Sequence, residues 1–498
     1  MENLLIPFLG LGLGLGLGFM VLIFFSSRRR SKLPPGPWRL PILGNLHQLG
    51  PLPHRSLCKL AAKHGPLMHL HLGKIPTIIV SSPDLAFQIL KTLDLSFASR
   101  PSSSSGAEFT YGGKLGKYSE HWRQVRKLGT LEIFSMKRVQ SFRSIREEEI
   151  NLLIKTIHRI SSSSSDVNLS KLFVIMSNNI TSKEAFGKRF SDDGDCNWSP
   201  DHDIFKEIIE LLSEFSLREM LPSLELLRRS SKFRVKLAKS FKRMDQLFER
   251  EIDGHCSCDG GDDGEKDLLD VLLKHLGDSS FGFTFTRDDI KAILQEIFFG
   301  GTDTTSSVLE WVISELVRNP RVMNKAQDEV RGSVGPNKGK VEESDLQELR
   351  YLKLVINETL RLHPPAPLLV PRECREECNV QGYDIPVGMR VFVNAWAIMR
   401  DPNSWEDPEE FIPERFEESA INFKGQHFQF IPFGTGRRMC PGMQLGIAIV
   451  EIALANILYH FNWELPAGAD MDMSETVTIV LHKKSPLILK AIPRINLI

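Results

Sequence analysis

Between Leu4 and Phe25 the chain carries no charged residue, and Arg28, Arg29, Arg30 and Lys32 follow directly. A run of about 20 apolar residues is long enough to cross a bilayer as a helix, where its backbone groups bond to one another. Glycines alternate with leucine from Gly10 to Gly18; they would weaken a helix in water but are better tolerated in lipid. A cleaved secretory signal places its positive charges ahead of a shorter apolar core of roughly 7–15 residues. Here only Glu2 precedes the run. Residues 1–27 therefore predict a single-pass signal-anchor, and the basic cluster behind it leaves the rest of the chain in the cytosol. On that side the glycosylation patterns at Asn168, Asn179, Asn197 and Asn357 carry no meaning.

Residues 28–53 hold the basic cluster and then Leu33-Pro34-Pro35-Gly36-Pro37-Trp38, with Pro41, Pro51 and Pro53 close behind. Proline fixes φ and removes a donor, so this stretch is a stiff spacer or a surface loop rather than a helix. Beyond it, residues 54–498 form one unit. The serine runs at 102–105 and 161–165 and the Gly/Asp stretch at 253–263 are loops too short to separate domains, and no internal repeat is present. With 42% apolar residues among 498 and no net charge, the chain has ample core and is neither disordered nor collagen-like. It also lacks the basic surplus that nucleic-acid binding needs. Residues 68–80 alternate and then turn β-branched, which predicts a hairpin. Most other periodic segments are helical, so the expected body is mostly α with small β-sheets. Seven scattered cysteines in a chain this large fit a reducing compartment. The pairs Cys256/Cys258 and Cys374/Cys378 lack the partners of a zinc site and read as incidental.

The segment from Phe430 to Gly442 runs Phe-Ile-Pro-Phe-Gly-Thr-Gly-Arg-Arg-Met-Cys-Pro-Gly and precedes an apolar helical run, residues 443–458. Its glycines allow a tight loop, and the Cys440 sulfur falls near a helix N-terminus, where free N–H groups favour an anion. An isolated cysteine in a Gly-rich turn is ordinarily structural. Here Phe433, Gly436, Arg438, Cys440 and Gly442 stand in register, and the segment resembles the haem-binding loop of the cytochrome P450 family, F-x-x-G-x-R-x-C-x-G. Its fuller form looks most like the plant microsomal branch. The resemblance implies haem b, held by the Cys440 thiolate, which pushes electron density onto the iron and favours O–O cleavage.

Thr286 and Asp289 resemble a capping box. After them Ile290, Leu294, Ile297, Gly301, Thr304, Val308, Val312 and Leu316 recur at helical spacing, which predicts a helix of about 30 residues through the whole body. Gly300-Gly301-Thr302-Asp303-Thr304-Thr305 interrupts its apolar stripe, each mid-helix glycine costing about 1 kcal/mol relative to alanine. A kink with hydroxyls bonding back to their own carbonyls is one explanation. The other is an opening beside the iron. The motif is similar to the family's [AG]-G-x-[DE]-T-[ST], which implies that Thr304 donates to dioxygen and that Asp303 relays protons from solvent. Haem would then lie between this long central helix and the Cys440 loop.

Other segments fit the same resemblance. Glu358 and Arg361 share a helix face, and Arg415 in Pro413-Glu-Arg-Phe416 is a third member of a structural network similar to the family's E-x-x-R with P-E-R-F. Trp122 and Arg126, four apart, resemble the W-x-x-x-R that binds a haem propionate. Arg438, Arg372 and Arg100 are further propionate candidates, because arginine suits a carboxylate, and Phe433 lies in the haem loop. The chain has no nucleotide-binding glycine motif. The two electrons of a monooxygenase would come from an NADPH-dependent flavin reductase in the same endoplasmic reticulum membrane, with O2 and a small lipophilic substrate as the other partners. A terpenoid, phenolic or alkaloid hydroxylated or epoxidised in plant specialised metabolism is the expected class. Pocket walls are expected from residues 102–115, 211–221, 298–301 and 365–370. Phe298, Phe299, Leu368 and Leu369 would line an apolar cavity, although core packing explains them equally. Two alternatives stand beside this: a haem-thiolate isomerase or dehydratase working without O2, against which Asp303 and Thr304 argue, and a silent membrane haem protein, which needs neither residue.

Overall fold

The computed structural model describes residues 32–101, 109–163, 165–190, 204–205, 207–208, 210–211, 232–257, 267–336 and 338–494. The anchor expected at residues 1–27, most of the basic cluster, and nearly all of the expected pocket wall at 211–221 lie outside them. Within the proline-rich segment, the Pro35 carbonyl accepts from His69 N–H (2.9 Å) and Asn45 N–H donates to the His71 carbonyl (2.6 Å), so this stretch lies along the first strand of the body.

Helix α1 (Pro53–His64) starts on a proline, whose missing N–H costs nothing at a first helical position. Strands β1 (Leu67–Leu72) and β2 (Ile75–Val80) form the expected antiparallel hairpin, Leu67 opposite Val80. Then come α2 (Glu120–Leu128), α3 (Arg143–Ser162), α4 (Leu169–Phe186) and α5 (Lys232–Ser257). The expected 30-residue helix is two successive segments, α6 (Arg287–Gly301) and α7 (Asp303–Arg318), which meet at Thr302 with helical φ −82° and ψ −60°. The Thr286–Asp289 capping box is present, and Asp289 is held in addition by Lys114 (3.0 Å) and His121 (2.9 Å).

Ile290, Leu294, Ile297, Val308, Val312 and Leu316 are buried as the stripe predicts, but so are Ile293, Leu309, Trp311 and Ile313 on other faces. The helix runs through the centre of the body, packed against α4, α8 (Pro320–Val334), α9 (Arg350–Leu362) and α10 (Met443–His460). A central helix buries more than one face, which an amphipathic pattern understates. Four short strands stand between α9 and α10: β3 (Arg372–Glu373), β4 (Cys378–Val380), β5 (Tyr383–Ile385) and β6 (Arg390–Val393). The main sheet has the order β1-β2-β6-β3, with β2 and β6 parallel. Helix α10 is long and apolar enough to cross a membrane by composition, yet every residue from Ile449 to its end except Glu451 is buried, and it serves as a core helix. Near the C-terminus β7 (Phe461–Glu464) is followed by the hairpin β8 (Glu475–Val477) and β9 (Leu481–Lys483). Strand β9 docks on α7, where Ser307 Oγ and Trp311 Nε1 both donate to the Leu481 carbonyl.

Glu358 and Arg361 are fully buried. Arg361 meets both Glu358 oxygens at 2.8 Å, and Arg415 Nε donates to Glu358 Oε1 at 3.0 Å. Arg361 also donates to the carbonyls of Met399, Pro408 and Glu410, which ties the segment before the Cys440 loop to α9.

Candidate active site

The loop that carries Cys440 is shaped by a glycine no other residue could replace. Gly436 has φ +73°, and a Cβ there would lie 2.3 Å from the Leu90 carbonyl oxygen. The turn Gly436–Arg438 follows, and Cys440 N–H returns to the Phe433 carbonyl at 3.0 Å. Phe433 is half-buried, its ring set edge-on to Phe423 at 5.4 Å. Gly442 caps the N-terminus of α10, and its backbone N–H donates to the Cys440 sulfur. Cys440 is enclosed by protein, and burial pushes its thiol up despite that bond and the nearby charge of Arg126. Its side chain nonetheless keeps exposed surface, so it faces an interior cavity. Burial outweighs the helix terminus here; a metal cation on the sulfur would reverse the balance, because a coordinating thiol loses its proton.

Four arginines share this interior. Arg438 donates to the carbonyls of Ala98 (2.6 Å), Leu115 (2.9 Å) and Gly116 (2.5 Å), and its guanidinium lies 4.0 Å from the centre of the buried Trp122 ring. Arg126 donates to the Met439 carbonyl at 2.6 Å. Arg372 pairs with Asp94 (2.8 Å) and donates to the Thr435 carbonyl (2.9 Å). Arg100 donates to the carbonyls of Val370 (2.6 Å) and Pro371 (3.1 Å). Helix α2 supplies Trp122 and Arg126 from one face, four residues apart, as the sequence implies. Burial depresses all four cations, and repulsion among them adds to it at two: Arg438 is brought down to about 9, and Arg100 is held well below its usual range, with Arg372 and Arg438 contributing. Enclosed cations in excess of anions are costly unless an anionic ligand pairs with them. Two carboxylates of one ligand would fit this cluster.

The central helix leaves room at Gly300. A side chain at Gly300 would meet nothing within 4 Å, while one at Gly301 would press Thr181 Oγ1 at 3.1 Å, where α4 crosses closely. Thr304 Oγ1 donates to the Gly300 carbonyl at 2.6 Å, the back-bond that the sequence left as one explanation. The hydroxyl oxygen keeps its lone pairs as acceptors. Next to it, α7 lies against the first turn of α10, a Cβ at Gly446 falling 3.9 Å from Thr305 Oγ1. That packing brings the opening beside the Cys440 loop.

Two site residues escaped the sequence reading. Glu296, one turn before Gly300, keeps exposed surface although surrounding protein encloses it, and burial raises its pKa against the pull of Arg100 and Arg438. It is the one charged residue in the run 292–299, whose only other polar side chain is Gln295. His482 on β9 is 179 positions from Asp303, yet its Nε2 lies 3.1 Å from Asp303 Oδ2. Asp303 is therefore paired with a histidine from a distant strand. One expected wall residue is core instead: Phe298 is fully buried, stacked on Phe205 at 4.4 Å and flanked by Phe186, Phe190 and Phe248. Leu369, at a strained φ of +50°, does reach the Cys440 loop: a Cβ at Gly434 would lie 3.7 Å from its Cδ1.

Residues 34–491 match the family model described as Cytochrome P450. The chain belongs to the cytochrome P450 family. Cytochrome P450 71A1 of Persea americana is 49% identical over 458 residues, which cover 90% of this chain and 91% of that protein. Costunolide synthase of Cichorium intybus is 44% identical over 485 residues and is covered, like this chain, to 96%. Among solved structures, a zebra fish cytochrome P450 with abiraterone superposes with a TM-score of 0.75 at 25% identity, covering 89% of this chain and all of that one. This P450 is a monooxygenase with haem as its cofactor. The enclosed thiol, the surplus of arginines and the open space at Gly300 all suit that group.

Proposed function

We propose that this P450 inserts one oxygen atom from O2 into a C–H or C=C bond of a small lipophilic plant metabolite. A terpenoid is the first class to try, because costunolide synthase is among its relatives; phenolic and alkaloid skeletons come next. Residues 1–27 anchor it in the endoplasmic reticulum membrane, residues 28–53 join the anchor to the body, and residues 54–498 face the cytosol. There an NADPH-dependent flavin reductase supplies two electrons.

The observation that carries this proposal is a thiol and four arginines sharing one enclosed cavity beside an opened helix. Cys440 would hold the haem iron through its thiolate. Arg126, Arg438, Arg372 and Arg100 neutralise the haem carboxylates, Trp122 supports Arg438 from below, and Phe433 packs behind the loop. Haem so ligated supplies the redox centre at which O2 is activated. The chain's own residues manage protons and water. His482 reaches Asp303 from the β9 side, Asp303 passes a proton toward Thr304, and Thr304 rotates off the Gly300 carbonyl to donate into the opening. Glu358, Arg361 and Arg415 keep the segment before the loop in place.

Reduction of the purified holoprotein under carbon monoxide tests the ligation. A thiolate-type Soret shift is expected, and a Cys440→Ala protein that still holds porphyrin in the same electronic state would overturn it. Turnover of terpenoid, phenolic and alkaloid panels with a reductase, watched by substrate-induced spin shift, tests the substrate class. Product formed without NADPH would favour an isomerase or dehydratase.

A further inference from the structure

Cys374 and Cys378 take no part in the chemistry above, and the sequence treats them as incidental. The fold brings them together. Cys374 follows β3 and is pinned by its backbone, donating to the Met389 carbonyl (2.9 Å) and accepting from Gly388 N–H (2.8 Å). Its side chain is buried, with Sγ 3.0 Å from the Glu376 carbonyl and 3.7 Å from that of Ile385. Cys378 opens β4, where its register partner across the ladder is the same Ile385. The two side chains converge on Ile385, and each thiol shifts the titration of the other. Cys378 is half-buried and Cys374 lies wholly in the core, so one thiol meets solutes and the other waits behind it.

We propose that Cys374 and Cys378 are a reversible dithiol–disulfide pair oxidised by hydrogen peroxide. Peroxide is the two-electron reduction product of O2 that a monooxygenase releases when turnover is uncoupled from substrate. The neighbouring Cys374 thiol eases loss of the Cys378 proton, while that same contact and burial hold Cys374 protonated. The Cys378 thiolate attacks one peroxide oxygen, the O–O bond breaks, and the departing hydroxide takes a proton to leave as water. Cys374 sulfur then attacks the Cys378 sulfenic acid, the S–O bond breaks, and the Cys374 proton leaves with hydroxide as a second water. Two thiols lose two electrons and two protons, and one peroxide becomes two waters. A cytosolic thiol such as glutathione reverses the bond by exchange.

The site has a route to the haem loop. Between the two cysteines, Arg375 N–H donates to the Ser96 carbonyl (2.8 Å) and Glu376 accepts from Ser96 Oγ (2.7 Å). Two residues before Ser96, Asp94 pairs with Arg372 and accepts from Arg437 N–H at 2.9 Å. A cross-link across residues 375–377 therefore stiffens the segment that holds the haem-facing arginine.

The test uses the full-length holoprotein, treated with graded peroxide, alkylated under denaturing conditions and cut with trypsin. Cleavage after Arg372, Arg375 and Arg390 places the two cysteines on different peptides, 373–375 and 376–390. The expected product is that pair of peptides joined, two hydrogens lighter than their sum, with more than half of the Cys378 signal converted and full recovery after dithiothreitol. In Cys378→Ser, Cys374 is expected to remain alkylatable at the same peroxide dose. If wild-type peptides stay separate while Cys378 advances to sulfinic acid, or if Cys374 oxidises equally in Cys378→Ser, the proposal is wrong. A reductase-driven reaction without substrate, with and without catalase, reads the source: cross-linking abolished by catalase is expected, and cross-linking indifferent to it would exclude peroxide.

Discussion

Replacing Glu358 by glutamine removes one negative charge from a place where two cations depend on it. Glu358 Oε1 accepts from Arg361 Nη2 (2.8 Å), Ile412 N–H (2.9 Å) and Arg415 Nε (3.0 Å), and Oε2 accepts from Arg361 Nε (2.8 Å). Glutamine keeps one acceptor oxygen, but its NH2 then faces a guanidinium that can only donate. Arg361 cannot swing into water, because it is fully buried and donates to three further carbonyls. Breaking a buried ion pair from one side costs about 3–5 kcal/mol, a large share of the 5–15 kcal/mol typical of whole folds. Unfolding entropy of about 2.1 cal/mol/K per residue amounts to about 1 kcal/mol/K for a body of this size, so the midpoint should fall by about 3–5 °C. Thermal loss of the carbon monoxide spectrum, with matched urea titrations, measures it. Arg415→Lys is the internal comparison: it keeps a cation beside Glu358 and forfeits bonds to the Glu406 and Asp407 carbonyls, at about 1–2 kcal/mol. A Glu358→Gln protein within 1 kcal/mol of wild type, or less affected than Arg415→Lys, would refute the reasoning.

Thr304→Ala should leave haem bound and NADPH consumption running while product per NADPH falls and peroxide rises. A positioned proton donor contributes about 100-fold or more, and unchanged coupling would count against Thr304. His482 is pulled down by burial but raised overall by its hydrogen bond to Asp303 and by the charges of Asp303 and Glu310. It is thus protonated below that raised pKa and neutral above it. Coupling should decline as pH rises through it, and His482→Gln should abolish that limb while leaving haem content intact; an identical pH profile in the variant would remove His482 from the proton route. Glu310 also acts on His482, and Lys483 in turn acts on Glu310, so Lys483→Gln and Glu310→Gln profiles belong beside it. Gly436→Ala combines a left-handed φ, about 1–2 kcal/mol for an L-residue, with a backbone clash of about 1–3 kcal/mol. Haem incorporation should drop sharply, and full incorporation would show that the loop can yield.

Much of this protein is written in short stretches of chain. The Cys440 loop is local: glycine at 436 is required by its own φ, Gly442 delivers its N–H to a sulfur two residues away, and α10 begins at once. The capping box at Thr286, the hairpin of β1 and β2, and the pairing of Glu358 with Arg361 depend on neighbours a few positions off, so residue type and spacing suffice to find them. What the chain could not disclose by spacing is which distant segment arrives opposite each side chain. Helical period marked one face of α6 and α7, but burial on the other faces followed from α4, α8, α9 and α10 closing around them. Phe298 joined an aromatic core and Glu296 turned to the cavity because of how those helices pack. Asp303 found His482 only when β9 docked on α7, and Cys374 reached Cys378 only when both were folded over Ile385. Side chains in sequence share a backbone, whose geometry is known in advance; side chains in contact share a packing arrangement, and that is settled by the whole body at once.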